Sequence, residues 1–233
     1  MSKNYIIPKV EKRLSAWLEI QERNARHYES EENQISITIS REFGCQGYPL
    51  AAELKTELEM RTVTGWTVFD KALINKISED NQISRHLLEN LGERSRYLDY
   101  VISSLMPGWK GEEEAYELMT KTIFSIAKQG NAIFVGHGAF AVTQGLKNCY
   151  HYRLIAPLEF RVKTYASLAG VTINEAEKIV QESDSNRNST MQDIYNSSFS
   201  NNEFNMIFNN SRMTVENIAK TIMYSLRDVL IRS

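Results

Sequence analysis

Apolar positions along the chain follow two periods, and the switches between them lay out its elements. Val10, Leu14, Leu18 and Ile20 recur among Lys, Arg and Glu at helical spacing, which predicts an amphipathic helix over residues 9–28. Ile35, Ile37 and Ile39 then alternate with Ser36, Thr38 and Ser40, the period-two pattern of a β-branched strand. A glycine-bearing turn, Gly44-Cys45-Gln46-Gly47, leads into a helix of about residues 49–59 carrying Leu50, Ala51 and Leu54, with Pro49 suited to its first turn. Residues 62–69 (TVTGWTVF) are β-rich and close at Asp70-Lys71, before a helical stretch over 72–77. Residues 80–110 are polar with a helical pattern, marked by Leu87, Leu88, Leu91, Tyr97, Val101 and Leu105, and Met106-Pro107-Gly108 ends them.

The second half repeats the alternation. A helix over 112–129 opens on three glutamates that match its dipole, carries a stripe at Ala115, Leu118, Met119, Ile126 and Ala127, and stops at Gly130. The unbroken run Ala132 to Val135 predicts a buried strand of the kind parallel sheets use, ending in Gly136-His137-Gly138. Residues 150–156 form another strand, halted by Pro157, and the helix after it carries Arg161 and Lys163. Thr172 and Glu175 make the T-x-x-E capping box of the next helix, whose apolar side is Ala176, Ile179 and Val180. Asn and Ser dominate residues 183–211, which predicts a mobile excursion and then a short last strand at Met206–Phe208. Thr214 caps a terminal helix with Val215, Ile218, Ile222, Leu226 and Val229 on its apolar face. Alternating strands and helices predict an α/β layer fold with a mainly parallel sheet.

Composition narrows the class. At 233 residues the chain supports one substantial core, and a net charge of −2 gives no reason to expect nucleic acid or an anionic membrane as its main partner. No secretory signal and no run of about 18 apolar residues is visible, and Cys45 and Cys149 lack metal-ligand spacing, so a cytoplasmic protein is expected. The first helix is expected either to pack on its own domain or to form a homodimer contact.

Candidate chemistry lies at strand ends. Strand, glycine turn and helix together build a phosphate cradle, because the glycines let successive N–H groups turn inward and the helix adds its own unpaired N–H groups. Against the P-loop pattern G-x-x-x-x-G-K-[ST], Gly47 falls at the lysine and Pro49 at the hydroxyl; sliding by one puts Tyr48 at the lysine. Read alone, G-x-x-G after a strand is equally a plain turn. Asp70 is equally a helix cap or a ligand-facing group, and His137 a solvated or a ligand-facing loop residue.

Seven stretches in order resemble the cytidylate kinase-like family of P-loop proteins, relatives of the nucleoside monophosphate kinases. They are ITISREFGCQGYPLA, VFDKALINKIS, LLENLGER, FVGHGAFAVT, YRLIAPLEFRV, EAEKIVQESDSNR and FNMIFNNSRM. The resemblance implies a P-loop NTPase-type three-layer fold, a five-stranded parallel sheet flanked by helices. It further implies a helical monophosphate-binding insert at about 71–111 and a lid at about 183–203, within a domain of residues 34–233 behind an N-terminal extension of 1–33.

Carried over by residue, Arg41 and the segment Gly44, Cys45, Gln46, Gly47 and Tyr48 fall on the family's phosphate cradle. Asp70 and Lys71 fall on its [YF]-D-K, and Arg161 on the arginine after A-P-L-E-F. Asp184 and Arg187 fall on the D-x-x-R of the lid. His137 departs from a G-R-G, replacing a permanent bidentate cation with a residue mostly neutral at pH 7. The resemblance implies ATP and Mg²⁺, with a nucleoside monophosphate or similar small phosphorylated acceptor facing Asp70, Lys71 and His137, and Arg41, Arg161 and Arg187 around the transferred group. The missing lysine and hydroxyl point to the alternative, a catalytically impaired nucleotide- or phosphate-binding module with a sensing or assembly role.

Overall fold

A computed structural model describes residues 7–25, 34–62, 64–89, 113–195 and 200–230. In chain order the elements are α1 (Val10–Ala25), β1 (Ser36–Arg41), α2 (Gly47–Arg61), β2 (Thr67–Phe69), α3 (Lys71–Glu79), α4 (Asn81–Glu89) and α5 (Glu113–Gln129). There follow β3 (Ala132–Val135), α6 (Ala139–Thr143), β4 (Cys149–Ile155), α7 (Leu158–Ala169), α8 (Ile173–Tyr195), a 3-10 turn (Asn201–Glu203), β5 (Met206–Asn209), α9 (Val215–Ser225) and α10 (Arg227–Leu230).

The five strands form one parallel sheet in the order β2-β3-β1-β4-β5. Alternate residues of each strand feed two cores. Ile37, Ile39, Ile133, Val135, Tyr152 and Leu154 pack with Leu50, Leu54 and Leu58 of α2 and Ile218 and Ile222 of α9. Phe69, Phe134 and Ala132 face the other way, onto Leu73 and Ile77 of α3, Ile123 and Phe124 of α5, and Ala139 and Val142 of α6. The three layers expected from the alternation are present.

The alternation in β1 has a different cause from the usual one. Ser36 and Thr38 are as buried as the isoleucines, and their hydroxyls find partners inside: Ser36 Oγ donates to Ala127 O at 2.9 Å, and Thr38 Oγ1 shares a 2.8 Å hydrogen bond with His151 Nδ1. Partnered hydroxyls let a strand covered on both faces carry polar residues at alternate positions.

Three expectations change. The β-rich stretch at 62–69 yields a strand only at Thr67–Phe69. Thr62 Oγ1 instead donates to Leu58 O at 2.9 Å and accepts from Trp66 Nε1 at 3.1 Å, local bonds that compete with a ladder. The polar stretch from Ser183 continues as α8 to Tyr195, because the capping box starts the helix and no Gly or Pro interrupts residues 173–195. Thr172 N donates to Glu175 Oε2 at 2.9 Å, and Glu175 N to Thr172 Oγ1 at 3.3 Å. On α1, Leu18 is 39% exposed, and the buried anchor of that helix is Trp17, 2% exposed, which meets Phe69 edge-on at 5.9 Å. Val10, Leu14 and Trp17 make the true stripe, and it packs on this same domain beside α3. The helical positions expected at Leu91, Tyr97, Val101 and Leu105, and the stop at 106–108, lie outside the described residues.

Candidate functional site

Ligands in open parallel sheets bind beyond the carboxyl ends of the strands, where neighbouring connections depart to opposite faces. Here that point lies between β1 and β3, since α2 leaves β1 into one core and α6 leaves β3 into the other. The glycine loop follows β1 at this edge. Gly44 has φ +87°, and a side chain there would start 2.6 Å from Arg161 O and 2.8 Å from Arg161 Cβ, so only glycine fits.

Much of the loop's backbone is held by the protein. Cys45 N donates to Glu42 O at 3.2 Å, Gly47 N to Cys45 O at 2.9 Å, and Gln46 N to Asn210 Oδ1 at 2.9 Å. Asn210 Nδ2 returns a bond to Gln46 Oε1 at 3.3 Å. An anion reaching the Gln46 N–H must therefore displace the Asn210 amide, which sits just past β5.

Arg161, on α7 and 8% exposed, braces the loop from beneath. Its Nε donates to Ala156 O at 3.0 Å and lies 3.5 Å from Glu42 Oε2, while Nη1 donates to Phe43 O at 3.1 Å and Asp184 Oδ2 at 2.5 Å. Asp184 Oδ1 accepts from Phe43 N at 3.4 Å, so one carboxylate on α8 holds both the brace and the loop. Glu42 Oε2 accepts from Ala156 N at 2.9 Å and ties the ends of β1 and β4 together.

Arg41 crosses to the other side of the loop. A Cβ on Gly47 would lie 3.1 Å from Arg41 Cδ and 3.3 Å from its Nε, and a Cβ on Gly136 only 1.6 Å from Arg41 Nη1. The guanidinium thus lies between the glycine loop and the turn after β3. In that turn Gly136, His137 and Gly138 all have left-handed backbone, with φ of 76°, 60° and 66°, closed by Ala139 N donating to Gly136 O at 3.2 Å. A non-glycine residue there costs of order 1 kcal/mol or more, and such strain gathers at functional sites.

The third corner joins Tyr48, Asp70 and a residue from α1. Asp70 Oδ1 caps α3 by accepting from Leu73 N at 3.0 Å, and Asp70 Oδ2 lies 2.9 Å from Arg13 Nη1. Burial pushes the Tyr48 hydroxyl's pKa up, opposed by the Arg13 guanidinium, which also hydrogen-bonds it. Lys71 is exposed at the start of α3. Arg187 lies on α8, and its side chain is outside the described residues.

The family model described as the cytidylate kinase-like family matches residues 36–212. The chain belongs to the cytidylate kinase-like family. A crystal structure of an uncharacterized protein from Eubacterium ventriosum is similar in fold, with a TM-score of 0.66 at 15% identity over 84% of this chain and 99% of that chain. A shikimate kinase from Bacteroides thetaiotaomicron aligns with a TM-score of 0.47 at 13% identity, over 83% of this chain and 99% of that one. No curated protein matches.

Family membership makes this a kinase-like, nucleotide-binding type of protein, with the five-stranded parallel sheet and flanking helices of the P-loop kinase fold. A protein-held Mg²⁺, which the family implies, does not fit the donors present. Neither Tyr48 nor Pro49 supplies the Ser or Thr hydroxyl of the motif, Asp70 is paired with Arg13, and among the described residues no group of three His, Cys, Asp or Glu is placed to hold a metal ion. Arg13 and Asn210 are site residues that the family stretches do not mark as such. Arg13 lies before the family match, and Asn210 meets Gln46 across 164 positions of sequence. Among the described residues no helix is long and apolar enough to cross a membrane.

Proposed function

We propose that this protein binds the phosphates of ATP at the carboxyl edge of the sheet and passes the γ-phosphoryl slowly to a nucleoside monophosphate or similar small phosphorylated acceptor. The observation that carries the proposal is the course of Arg41. In the motif, a lysine at position 47 brings charge to the β- and γ-phosphates. Here Gly47 leaves that volume open and the Arg41 side chain passes through it, 3.1 Å from where the lysine Cβ would begin. An arginine at that place binds phosphate oxygens bidentately and is always charged.

In this proposal Gly44, Cys45, Gln46, Gly47 and Tyr48 cradle the donor phosphates after the Asn210 amide gives way. Arg161 positions the loop, Asp70, Lys71 and His137 face the acceptor, and Arg187 serves the transferred group. Mg²⁺ comes with the nucleotide, coordinated by its phosphates and water. The compartment is the cytoplasm. A homodimer has to use a surface other than the stripe of Val10, Leu14 and Trp17, which is already packed on its own domain.

A second reading is favoured by the loop itself: with Pro49 at the hydroxyl position and N–H groups held by Glu42, Cys45 and Asn210, the site binds nucleotide and transfers nothing. The experiment that separates them is single-turnover transfer from labelled ATP with Mg²⁺ to cytidylate or uridylate, after calorimetry has fixed ATP affinity. Binding with slow transfer that Arg187→Ala diminishes supports the enzyme. Binding with no transfer supports the module, and no ATP binding overturns both.

A further inference from the structure

The N-terminal helix brings a buried cation into the site from outside the family match. Arg13 lies on α1, 23 residues before the first matched residue, Ser36. Its side chain is 12% exposed, its Nη1 is 2.9 Å from Asp70 Oδ2, and it hydrogen-bonds the Tyr48 hydroxyl. It therefore stands where the start of α2, which follows the phosphate loop, meets the cap of α3. Nη1 is held by its ion pair with Asp70, but Arg13 Nε is buried and has no hydrogen-bond partner. Most buried donors in native proteins are paired, so the Nε–H calls for an acceptor.

The helix that carries it is fixed firmly. Trp17 is buried against Phe69, one residue before Asp70, and Asn24 exchanges two 3.2 Å hydrogen bonds with the backbone of Gly65. Gly65 has no room for a side chain, since a Cβ would meet Arg23 Nη2 at 2.5 Å and Ile20 at 3.0 Å. Rigid support of this kind suits a residue whose head group must be held in place before a ligand arrives.

We propose that Arg13 is a ligand-binding residue of the acceptor subsite, offering the phosphate of a nucleoside monophosphate its charge and its Nε–H while Asp70 and Tyr48 fix its plane. This rests on the phosphoryl-transfer reading above, and it assigns α1 to the site. The helix is then a wall against which the acceptor phosphate is set. A lysine in the same place supplies charge without a fixed Nε–H.

The test uses the full chain and calorimetry with two probes, ATP for the donor cradle and each of the four ribonucleoside monophosphates for the acceptor. Arg13→Met keeps the stem and removes the charge, and Arg13→Lys keeps the charge and removes the Nε–H. Arg13→Met is expected to weaken the best monophosphate by about ten- to a hundredfold, with Arg13→Lys in between and ATP affinity within about threefold of the native chain in both. A purely structural Arg13 would change both probes together, or neither. Monophosphate binding that is unchanged or tighter in Arg13→Met overturns the assignment, as does a native chain that binds ATP but no monophosphate. If the native chain binds neither, the phosphoryl-transfer reading itself fails, and the ATP arm identifies that case.

Discussion

Returning the lysine to the loop and removing the arginine that occupies its space tests the site's logic in one double-mutant cycle. Gly47 is the first residue of α2 and is not in left-handed backbone, so lysine meets no backbone strain there. Its Cβ would sit 3.1 Å from Arg41 Cδ and 3.3 Å from both Arg41 Nε and Val135 Cγ1. Arg41 cannot simply retreat, because its guanidinium already lies against Gly136. Overpacking of this kind commonly costs about 1–3 kcal/mol, and a cation at a helix N-terminus adds about 0.3–1 kcal/mol. Replacing a helical glycine returns about 0.5–1 kcal/mol, leaving Gly47→Lys about 2 kcal/mol less stable at the middle of these ranges.

In Gly47→Lys with Arg41→Ala, the crowding falls to Val135 alone and the new ammonium enters the volume the guanidinium has left. The urea midpoint should then recover, with a coupling energy of at least about 1 kcal/mol, and ATP affinity should return to within about threefold of the native value. Arg41→Ala alone should lose at least about tenfold in ATP affinity. Additive stability effects together with an unrecovered affinity would show that Arg41 does not stand in for the lysine.

Gly44→Ala should be severely destabilising, by about 3 kcal/mol or more in urea unfolding, since it meets the rigid backbone of Arg161, while Gly138→Ala, with nothing within 4 Å, should cost only the left-handed backbone, about 1–2 kcal/mol; equal effects would refute this. Trp17→Ala should cost about 3–5 kcal/mol by the same assay, whereas Leu18→Ala on the exposed side should stay within about 0.5 kcal/mol. Burial lowers the His151 pKa to about 4 from an ordinary 6.5, so between those values the unfolded chain binds the extra proton, and stability present above pH 6.5 is lost as pH falls toward 4. At about 1.4 kcal/mol per unit that is about 2 kcal/mol between pH 6.5 and 5, and the slope should flatten in His151→Phe; equal slopes in the two proteins would contradict it.

How much of this was legible in the sequence depended on how local the cause was. The strand at Ala132–Val135, the Thr172–Glu175 capping box and the Thr214 cap are settled within a few residues, and each appears where the pattern placed it. The polar residues of β1 announced a strand but not its burial, because their partners, Ala127 and His151, are far along the chain. The glycine loop was visible as strand, glycines and helix. Its bracing by Arg161 and Asp184, and the Asn210 amide on Gln46, arise only when β4, β5 and α8 assemble around it. Arg13 was hidden for a similar reason: on α1 it belongs to the charged complement of an amphipathic pattern, and only docking of Trp17 on Phe69 turns it toward Asp70.

The central claim is that Arg41 supplies the charge that the loop lacks, and the most direct measurement is ATP affinity by calorimetry in the native chain and in Arg41→Met, with the unfolding midpoint followed in parallel. The native chain should bind ATP, and Arg41→Met should bind it at least about tenfold more weakly while unfolding as one cooperative transition. An Arg41→Met protein that is folded and binds ATP as tightly as the native chain would contradict the account.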